Sequence, residues 1–123
     1  MMSKKFYFDT YALVEISKGN PQFDKYKSNY MILSDLNLLE FYYYLIRVNK
    51  EDKIPEIFNE LKKFLVIYDN DDLIKSAKMK FKHKQEKISF VDCIGYQLAK
   101  KHKARFLTGD EQFKNKENVE FVK

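Results

Sequence analysis

Short apolar runs alternate along this chain with longer segments of helical periodicity, and this alternation restricts the fold more than any other feature. Five runs are compact enough to be strands, and the last is predicted to lie at the edge of a sheet. They cover residues 5–8, 30–33, 64–68, 106–107 and 119–122. Strands that alternate with helices are typical of α/β proteins. The sequence therefore predicts an α/β domain with a mostly parallel central sheet flanked by helices.

The segments between these runs carry the start signals of helices. Ser34 and Ser89 each precede a segment of helical periodicity, and serine is a favoured N-terminal cap. Lys103 stands where a glycine would be expected to end the last helix. The predicted helices cover residues 11–18, about 35–49, 56–63, a lysine-rich segment after 69–72, and 90–102.

The helix after Ser34 is predicted to bury one apolar stripe. Helical spacing aligns four of its residues, which are Leu36, Leu39, Tyr43 and Ile46. Glu40 lies within the same apolar segment, and a charged side chain in such surroundings is rarely buried unless it is paired or bound to a ligand. Glu40 is therefore a candidate functional residue.

Composition excludes several classes of protein. With 123 residues, of which 45% are hydrophobic, the chain is expected to form one globular domain over residues 1–123. A single cysteine excludes an internal disulfide framework and a multi-cysteine metal site. No apolar run approaches the roughly 18 residues of a membrane span. Residues 1–7 lack the apolar core of a signal peptide, so a cytoplasmic protein without membrane contacts is expected.

The positive charge of the chain is concentrated in one window. Residues 75–105 contain ten basic and two acidic residues, a net charge of +8, although the whole chain carries only +5. Such asymmetry is compatible with a polyanionic partner. A solvated lysine-rich helix face is the other interpretation, and charge alone favours it.

Four acids are expected at one edge of the sheet. Asp9 directly follows the first strand, and Asp110 follows the strand at 106–107 after a short Thr-Gly turn. Glu40 and Asp92 lie early in helices that begin at the same edge. Ligands of open α/β sheets bind beyond the carboxyl ends of the strands. Four carboxylates there would repel one another without a cation, and oxygen ligands suit hard divalent ions such as Mg²⁺ or Mn²⁺.

Each acid also has a purely structural interpretation. Asp92 and Ser89 have the spacing of a capping box. Asp9 could simply begin a helix, and Asp110 could be an ordinary turn residue. The ordered set of four is more informative than any of its members.

The ordered motifs resemble those of the PIN-domain family, over residues 5 to 113. The matching segments are Phe8-Asp9-Thr10, Leu38-Leu39-Glu40-Phe41, Ser89-Phe90-Val91-Asp92 leading into Ala99, and Phe106-Leu107-Thr108-Gly109-Asp110 with Phe113. Length and order are similar to the small VapC-like members, which are the toxin halves of toxin–antitoxin pairs. The resemblance implies a Rossmann-like, three-layer α/β fold and an endoribonuclease that depends on Mg²⁺ or Mn²⁺.

The same resemblance implies a set of roles for the acids. Asp9, Glu40, Asp92 and Asp110 correspond to the catalytic and metal-binding quartet, with Thr108 and Thr10 supporting them. Glu40 would either bind a metal or orient the attacking water.

The resemblance also implies partners. RNA would be the substrate, guided to the acids by lysines of the basic window, namely Lys78, Lys80, Lys82 and Lys84. A second copy of the chain in a homodimer and an antitoxin protein are the other expected partners.

Two other functions compete with a nuclease. A PIN-like module could hold RNA or a protein without cutting it. An aspartate phosphotransfer domain is the other class, but a dehalogenase-like phosphatase needs Asp-x-Asp where this chain has Asp9-Thr10-Tyr11. A response-regulator receiver needs an acidic pair near its start and a lysine near the end of a late strand, and neither is evident.

Overall fold

The computed structural model describes residues 4–27 and 29–123. Residues 1–3, which belong to the segment considered above for a signal peptide, and Ser28 lie outside the described residues. In the part that is described, every helix is too short or too polar to cross a membrane.

The described strands form one sheet in which every neighbouring pair is parallel. They are β1 (Lys5–Phe8), β2 (Tyr30–Ile32), β3 (Arg105–Thr108) and β4 (Val119–Phe121). The order across the sheet is β2-β1-β3-β4, so β4 is an edge strand as predicted. All four carboxyl ends therefore meet at one edge, which confirms the parallel arrangement expected from the alternating pattern.

Helices connect the strands. The α-helices are α1 (Thr10–Ser17), α2 (Asp35–Arg47), α3 (Ile54–Leu61), α4 (Asn70–Lys82) and α5 (Phe90–Lys101). Short 3₁₀ turns cover Pro21–Tyr26, Glu51–Lys53, Lys62–Phe64 and Glu111–Phe113. Ser34 and Ser89 cap α2 and α5 through their side chains, as the sequence predicted.

The sheet separates two apolar cores, because successive side chains of a strand point to opposite faces. Phe6, Phe8 and Leu107 belong to the core that packs against α1 and α2. Tyr7 and Phe106 belong to the other core, which is completed mainly by α5. Two helical layers around one sheet confirm the three-layer α/β architecture.

The predicted strand at 64–68 was wrong. This segment makes only one isolated parallel bridge, between Leu33 and Leu65. The preceding 3₁₀ turn and the Asp69 cap of α4 leave few residues free to pair. The segment's apolar side chains still pack partly buried against the two cores, except that of Ile67, which is 89% exposed.

The predicted buried face of α2 was also wrong. Three residues of the expected stripe are largely exposed, namely Leu39, Tyr43 and Ile46. The buried residues of α2 are Asn37, Leu38, Phe41 and Leu45. Both faces of this helix are apolar, so periodicity could not choose between them. Hydrogen bonds between Asn37 and residues at the end of β1 fix its rotation instead.

Lys103 occupies the glycine-like position between α5 and β3. Its φ angle is +56°, in the left-handed region that usually favours glycine. The Ala104 amide donates to the Ala99 carbonyl at 2.8 Å, which closes the end of the helix in the manner of a Schellman motif.

Candidate active site

Asp9 lies where β1 ends and α1 begins, and it is 4% exposed. Its Oδ1 accepts a hydrogen bond from the Ala12 amide at 2.8 Å, so Asp9 caps α1 as the structural interpretation anticipated. Burial raises the pKa of Asp9 to about 8, and the charges of Asp92 and Asp110 act in the same direction. Hydrogen bonds from Thr108 and Ala12 lower this pKa only in part. Asp9 is thus a carboxyl group that its surroundings make costly to ionise.

A buried polar network lies directly beneath Asp9. The Tyr7 hydroxyl donates to Asn37 Oδ1 at 3.1 Å and lies 2.9 Å from the Ser34 hydroxyl. Asn37 Nδ2 donates to the Phe8 carbonyl at 2.8 Å. These contacts tie the end of β1 to the start of α2. This network was not among the sequence predictions, although the capping-box position of Asn37, three residues after Ser34, was an available signal.

Asp110 follows β3 after a tight Thr-Gly turn. The buried Thr108 hydroxyl accepts from the Asp110 amide at 3.0 Å, and Asp110 Oδ1 accepts from the Gln112 amide at 2.9 Å. Gly109 leaves no room for a side chain, since a Cβ there would lie 2.2 Å from Tyr11 Cε1. The turn is therefore built to bring the chain close to α1 and to aim Asp110 at the sheet edge.

Asp92 lies in the first turn of α5 and forms a capping box with Ser89. Its Oδ2 accepts from the Ser89 amide at 2.9 Å, and its own amide donates to the Ser89 hydroxyl at 3.0 Å. Burial and the charges of Asp110 and Glu40 raise the pKa of Asp92, against the lowering effect of its bonds to Ser89. Asp92 therefore both caps its helix and contributes to an acidic group.

Three of the four predicted acids share one concavity at the carboxyl edge of the sheet. Asp9, Asp92 and Asp110 line a depression of about 410 Å³. Its other lining residues are Tyr11, Gly109, Glu111 and Lys123. We call the three aspartates and this depression the acidic rim.

Glu40 lies beside the acidic rim rather than in it. Its Oε1 accepts a hydrogen bond from the Thr10 hydroxyl at 2.5 Å. Both residues line a neighbouring groove between α1 and α2. The charge of Glu40 still contributes to the raised pKa of Asp92, so the two carboxylates are electrostatically linked.

The carboxylate oxygens of the acidic rim are ligands that a hard divalent cation prefers, but the three side chains do not converge on one point. Among residues 4–27 and 29–123, no group of three or more His, Cys, Asp or Glu side chains is arranged to hold a metal ion. One carboxylate oxygen of each rim aspartate accepts a hydrogen bond from a backbone amide. A carboxylate has a second oxygen and further lone pairs, so these hydrogen bonds leave each rim aspartate able to bind an ion. Burial and, to a smaller extent, repulsion between the acids raise the pKa values of Asp9 and Asp92, and a cation would offset that repulsion.

The four lysines predicted to guide RNA do not form one track. Residues two apart on a helix point about 200° apart, so Lys78 and Lys82 lie on one side of α4 and Lys80 on the other. Lys80 Nζ donates to the Ile88 carbonyl at 2.6 Å, near the start of α5. Lys84 Nζ lies 4.7 Å from the Phe81 ring centroid. Their role in RNA binding stays a prediction.

Phe90 is a candidate that sequence analysis did not single out. It begins α5, two residues before Asp92, and is 65% exposed. Lys80 Nζ lies 5.6 Å from the centroid of its ring. An exposed aromatic ring with a cation above it is a surface on which bases stack. In the sequence, the position of Phe90 within the Ser-Phe-Val-Asp motif, two residues before Asp92, could have identified it as a candidate.

Comparison with known proteins gives one family and several similar folds. The model of the PIN domain family matches residues 6–119. No curated protein matches the chain. The solved structures that resemble it include a toxin–antitoxin complex from Klebsiella pneumoniae, with 16% identity, a TM-score of 0.74 and coverage of 96% of both chains.

Two further solved structures resemble this chain at similar sequence identity and TM-score. VapC20 of Mycobacterium tuberculosis, described as a Sarcin-Ricin loop cleaving toxin, has 15% identity and a TM-score of 0.76, with coverage of 98% of this chain and 100% of that one. DNA-bound VapBC from Salmonella typhimurium has 15% identity and a TM-score of 0.70, with coverage of 98% and 97%. At these identities the likeness shows a shared fold.

Proposed function

The chain belongs to the PIN domain family, and from this premise we propose that it is a divalent-metal-dependent endoribonuclease that hydrolyses RNA phosphodiesters at the acidic rim. One observation carries the proposal. Asp9, Asp92 and Asp110 lie in one concavity at the carboxyl edge of a parallel sheet, and burial together with neighbouring carboxylates raises the pKa values of Asp9 and Asp92. Clustered carboxylates lower the stability of the folded protein when no cation compensates their charge. The same cluster supplies the oxygen ligands that a divalent cation needs.

The chain's own residues would divide the work at this edge. Asp9, Asp92 and Asp110 would hold Mg²⁺ or Mn²⁺, which when bound activates water as a nucleophile and offsets the charge that grows on the phosphate. Glu40, held by the Thr10 hydroxyl, would position the water or complete the ligand set. Thr108 would keep Asp9 and Asp110 in register, because its hydroxyl bonds to both.

We further propose that this nuclease is the toxin of a toxin–antitoxin pair, acting as a single cytoplasmic domain over residues 1–123. The support is the similarity of its fold to VapC20, described as a toxin, and to two toxin–antitoxin assemblies. An antitoxin would find an apolar surface beside Glu40, where Leu39 and Tyr43 are 63% and 65% exposed. The same exposed residues are available to a second copy of the chain in a homodimer.

A non-catalytic PIN-like binding module is the second candidate. It is favoured by the structural roles that the rim aspartates have without a metal. Asp9 caps α1, Asp92 completes the capping box of α5, and Asp110 accepts the Gln112 amide. This module would bind RNA or protein equally well with and without a metal.

Cleavage of a mixed pool of structured RNAs distinguishes the two candidates. The purified protein is incubated with Mn²⁺, or with EDTA, alongside Asp9→Asn. Asp52→Asn serves as the matched control, because Asp52 is an exposed acid remote from the rim. The nuclease predicts cutting by the wild type and Asp52→Asn with Mn²⁺, and none by Asp9→Asn. Cutting that survives EDTA or Asp9→Asn identifies a contaminant, and absence of cutting with intact RNA binding supports the binding module.

A further inference from the structure

A second cleft, separate from the acidic rim, lies between α4 and α5. Its volume is about 570 Å³, and positively charged side chains dominate its walls. The lining lysines are Lys75, Lys78, Lys82, Lys100 and Lys116, whereas Glu117 is the one acid that lines it. We call this cleft the lysine groove.

Three of these lysines have no carboxylate partner in the described part of the chain. Lys75 pairs with Asp71 at 3.1 Å, and Lys116 pairs with Glu86 at 2.6 Å. The remaining three form no such ion pair, and these are Lys78, Lys82 and Lys100. Lys78 and Lys82 are also four residues apart on one helix, where like charges repel and destabilise the helix. An anion in the groove would relieve that repulsion.

Contacts between neighbouring elements join the walls of the groove. Lys101 Nζ on α5 contacts Asp72 Oδ2 on α4 at 2.8 Å, and Asp72 is buried. The floor is the buried Tyr96, whose hydroxyl donates to the Glu117 carbonyl at 2.5 Å. Lys100 Nζ lies 5.5 Å from the Tyr96 ring centroid, which directs its ammonium group across the groove. These contacts hold together the elements that form the groove.

We propose that the lysine groove binds the phosphate backbone of the RNA strand that flanks the cleavage site. This inference rests on the proposed nuclease function. Lys75, Lys78 and Lys82 follow one another at about 4.5 and 6 Å along the α4 axis. A line of point charges suits a polyphosphate chain, and lysine contacts position a backbone without reading bases.

The groove is within reach of the acidic rim along a single helix. Asp92 and Lys100 both lie on α5, eight residues apart, which corresponds to about 12 Å along the helix axis. A strand with its reacting phosphate at the rim could thus place neighbouring phosphates in the groove. The groove, rather than the whole basic window, supplies the positive surface that offsets the repulsion between the rim acids and RNA.

The salt dependence of RNA binding tests this inference. A fluorescently labelled single-stranded RNA of about 20 nucleotides is titrated with protein in EDTA, which prevents cutting, at salt concentrations from about 50 to 200 mM. The groove variant carries Lys78→Gln, Lys82→Gln and Lys100→Gln. The control variant carries Lys50→Gln, Lys53→Gln and Lys63→Gln, which remove the same charge from exposed positions outside the groove.

Each lost phosphate contact lowers the slope of log affinity against log salt by about 0.7 for a single strand, so the groove variant should lose about 2 in slope. Across that fourfold salt range, the wild type should then lose about twentyfold more affinity than the groove variant. The control variant should keep the wild-type slope. Equal slopes for the two variants, or no binding of this RNA by the wild type, would overturn the inference.

Cleavage with Mn²⁺, measured on the same proteins, separates this inference from the proposed function. If the wild type cuts while both variants bind and cut alike, the lysine groove fails and the nuclease stands. If no protein cuts, the nuclease fails, and the slope comparison still decides whether the groove binds RNA.

Discussion

Asp9→Asn should stabilise the metal-free protein above neutral pH, although it removes a residue of the acidic rim. The folded state raises the pKa of Asp9 from 3.8 to about 8, because the carboxyl group is buried among other acids. Between these values the folded protein holds a proton that the unfolded chain has released. Stability from this group is therefore complete below about pH 4 and is lost as the pH rises towards 8.

The size of the effect follows from the shift. One pKa unit corresponds to about 1.4 kcal/mol, so the full shift is worth about 6 kcal/mol between pH 4 and pH 8. Between pH 5 and pH 7.5, the wild type should lose about 3 kcal/mol relative to Asp9→Asn. The asparagine can still accept the Ala12 amide through its carbonyl oxygen, so the α1 cap is retained.

Urea unfolding followed by circular dichroism, in EDTA at pH 5, 6, 7 and 7.5, measures this difference. Comparison with the variant cancels the other titrating groups, including His102, whose pKa is lowered by burial. Mg²⁺ should reduce the difference, since a bound cation favours the ionised carboxylate. Parallel stability curves for the wild type and Asp9→Asn would show that folding does not raise the pKa of Asp9.

Three further predictions concern single residues. Gly109→Ala should lower the free energy of unfolding by about 1–3 kcal/mol in urea, since a Cβ there overlaps the Tyr11 ring; an unchanged midpoint would contradict the tight turn. Asn37→Ala should cost about 1–3 kcal/mol in the same assay, because it leaves a buried carbonyl at the end of β1 unpaired; a loss below about 0.5 kcal/mol would show that the network does not hold α2. Phe90→Ala should weaken binding of single-stranded RNA by about 1–3 kcal/mol in a fluorescence titration while leaving urea stability nearly unchanged; equal affinities would exclude base stacking there.

The order of strands and capped helices was predictable because its signals are local. The helix starts at Ser34, Asp69 and Ser89 have capping boxes whose members are three residues apart. The parallel sheet follows from the alternation of elements. A cap or a turn depends on neighbours in the chain, so the sequence contains the information directly.

The buried face of α2 was not predictable from the same pattern. Leu38, Phe41 and Leu45 recur at helical spacing, and so do the exposed Leu39, Tyr43 and Ile46. The choice depends on hydrogen bonds between Asn37 and residues about 30 positions earlier. Such a tertiary contact has no local signature.

The candidate site shows the same division between local and long-range information. The placement of Asp9 and Asp110 at strand ends could be predicted, since parallel strands end at one edge. The position of Glu40 in a neighbouring groove could not, because it depends on the rotation of α2. The opposite directions of Lys80 and Lys82 were predictable from helix geometry. Which of the two lysines lines the groove depends on how α4 packs against α5, which is a long-range contact.

Direct binding of Mn²⁺, measured by electron paramagnetic resonance of the free ion, tests the central claim that the acidic rim is a metal site. The wild type and Asp52→Asn should bind the ion at a saturable site with equal affinity. Asp110→Asn should weaken that binding by about tenfold or more, as expected when a carboxylate of the site is lost. The two variants should therefore differ, although each loses one carboxylate. Equal binding by Asp110→Asn and the wild type, or no saturable binding by the wild type, would contradict it.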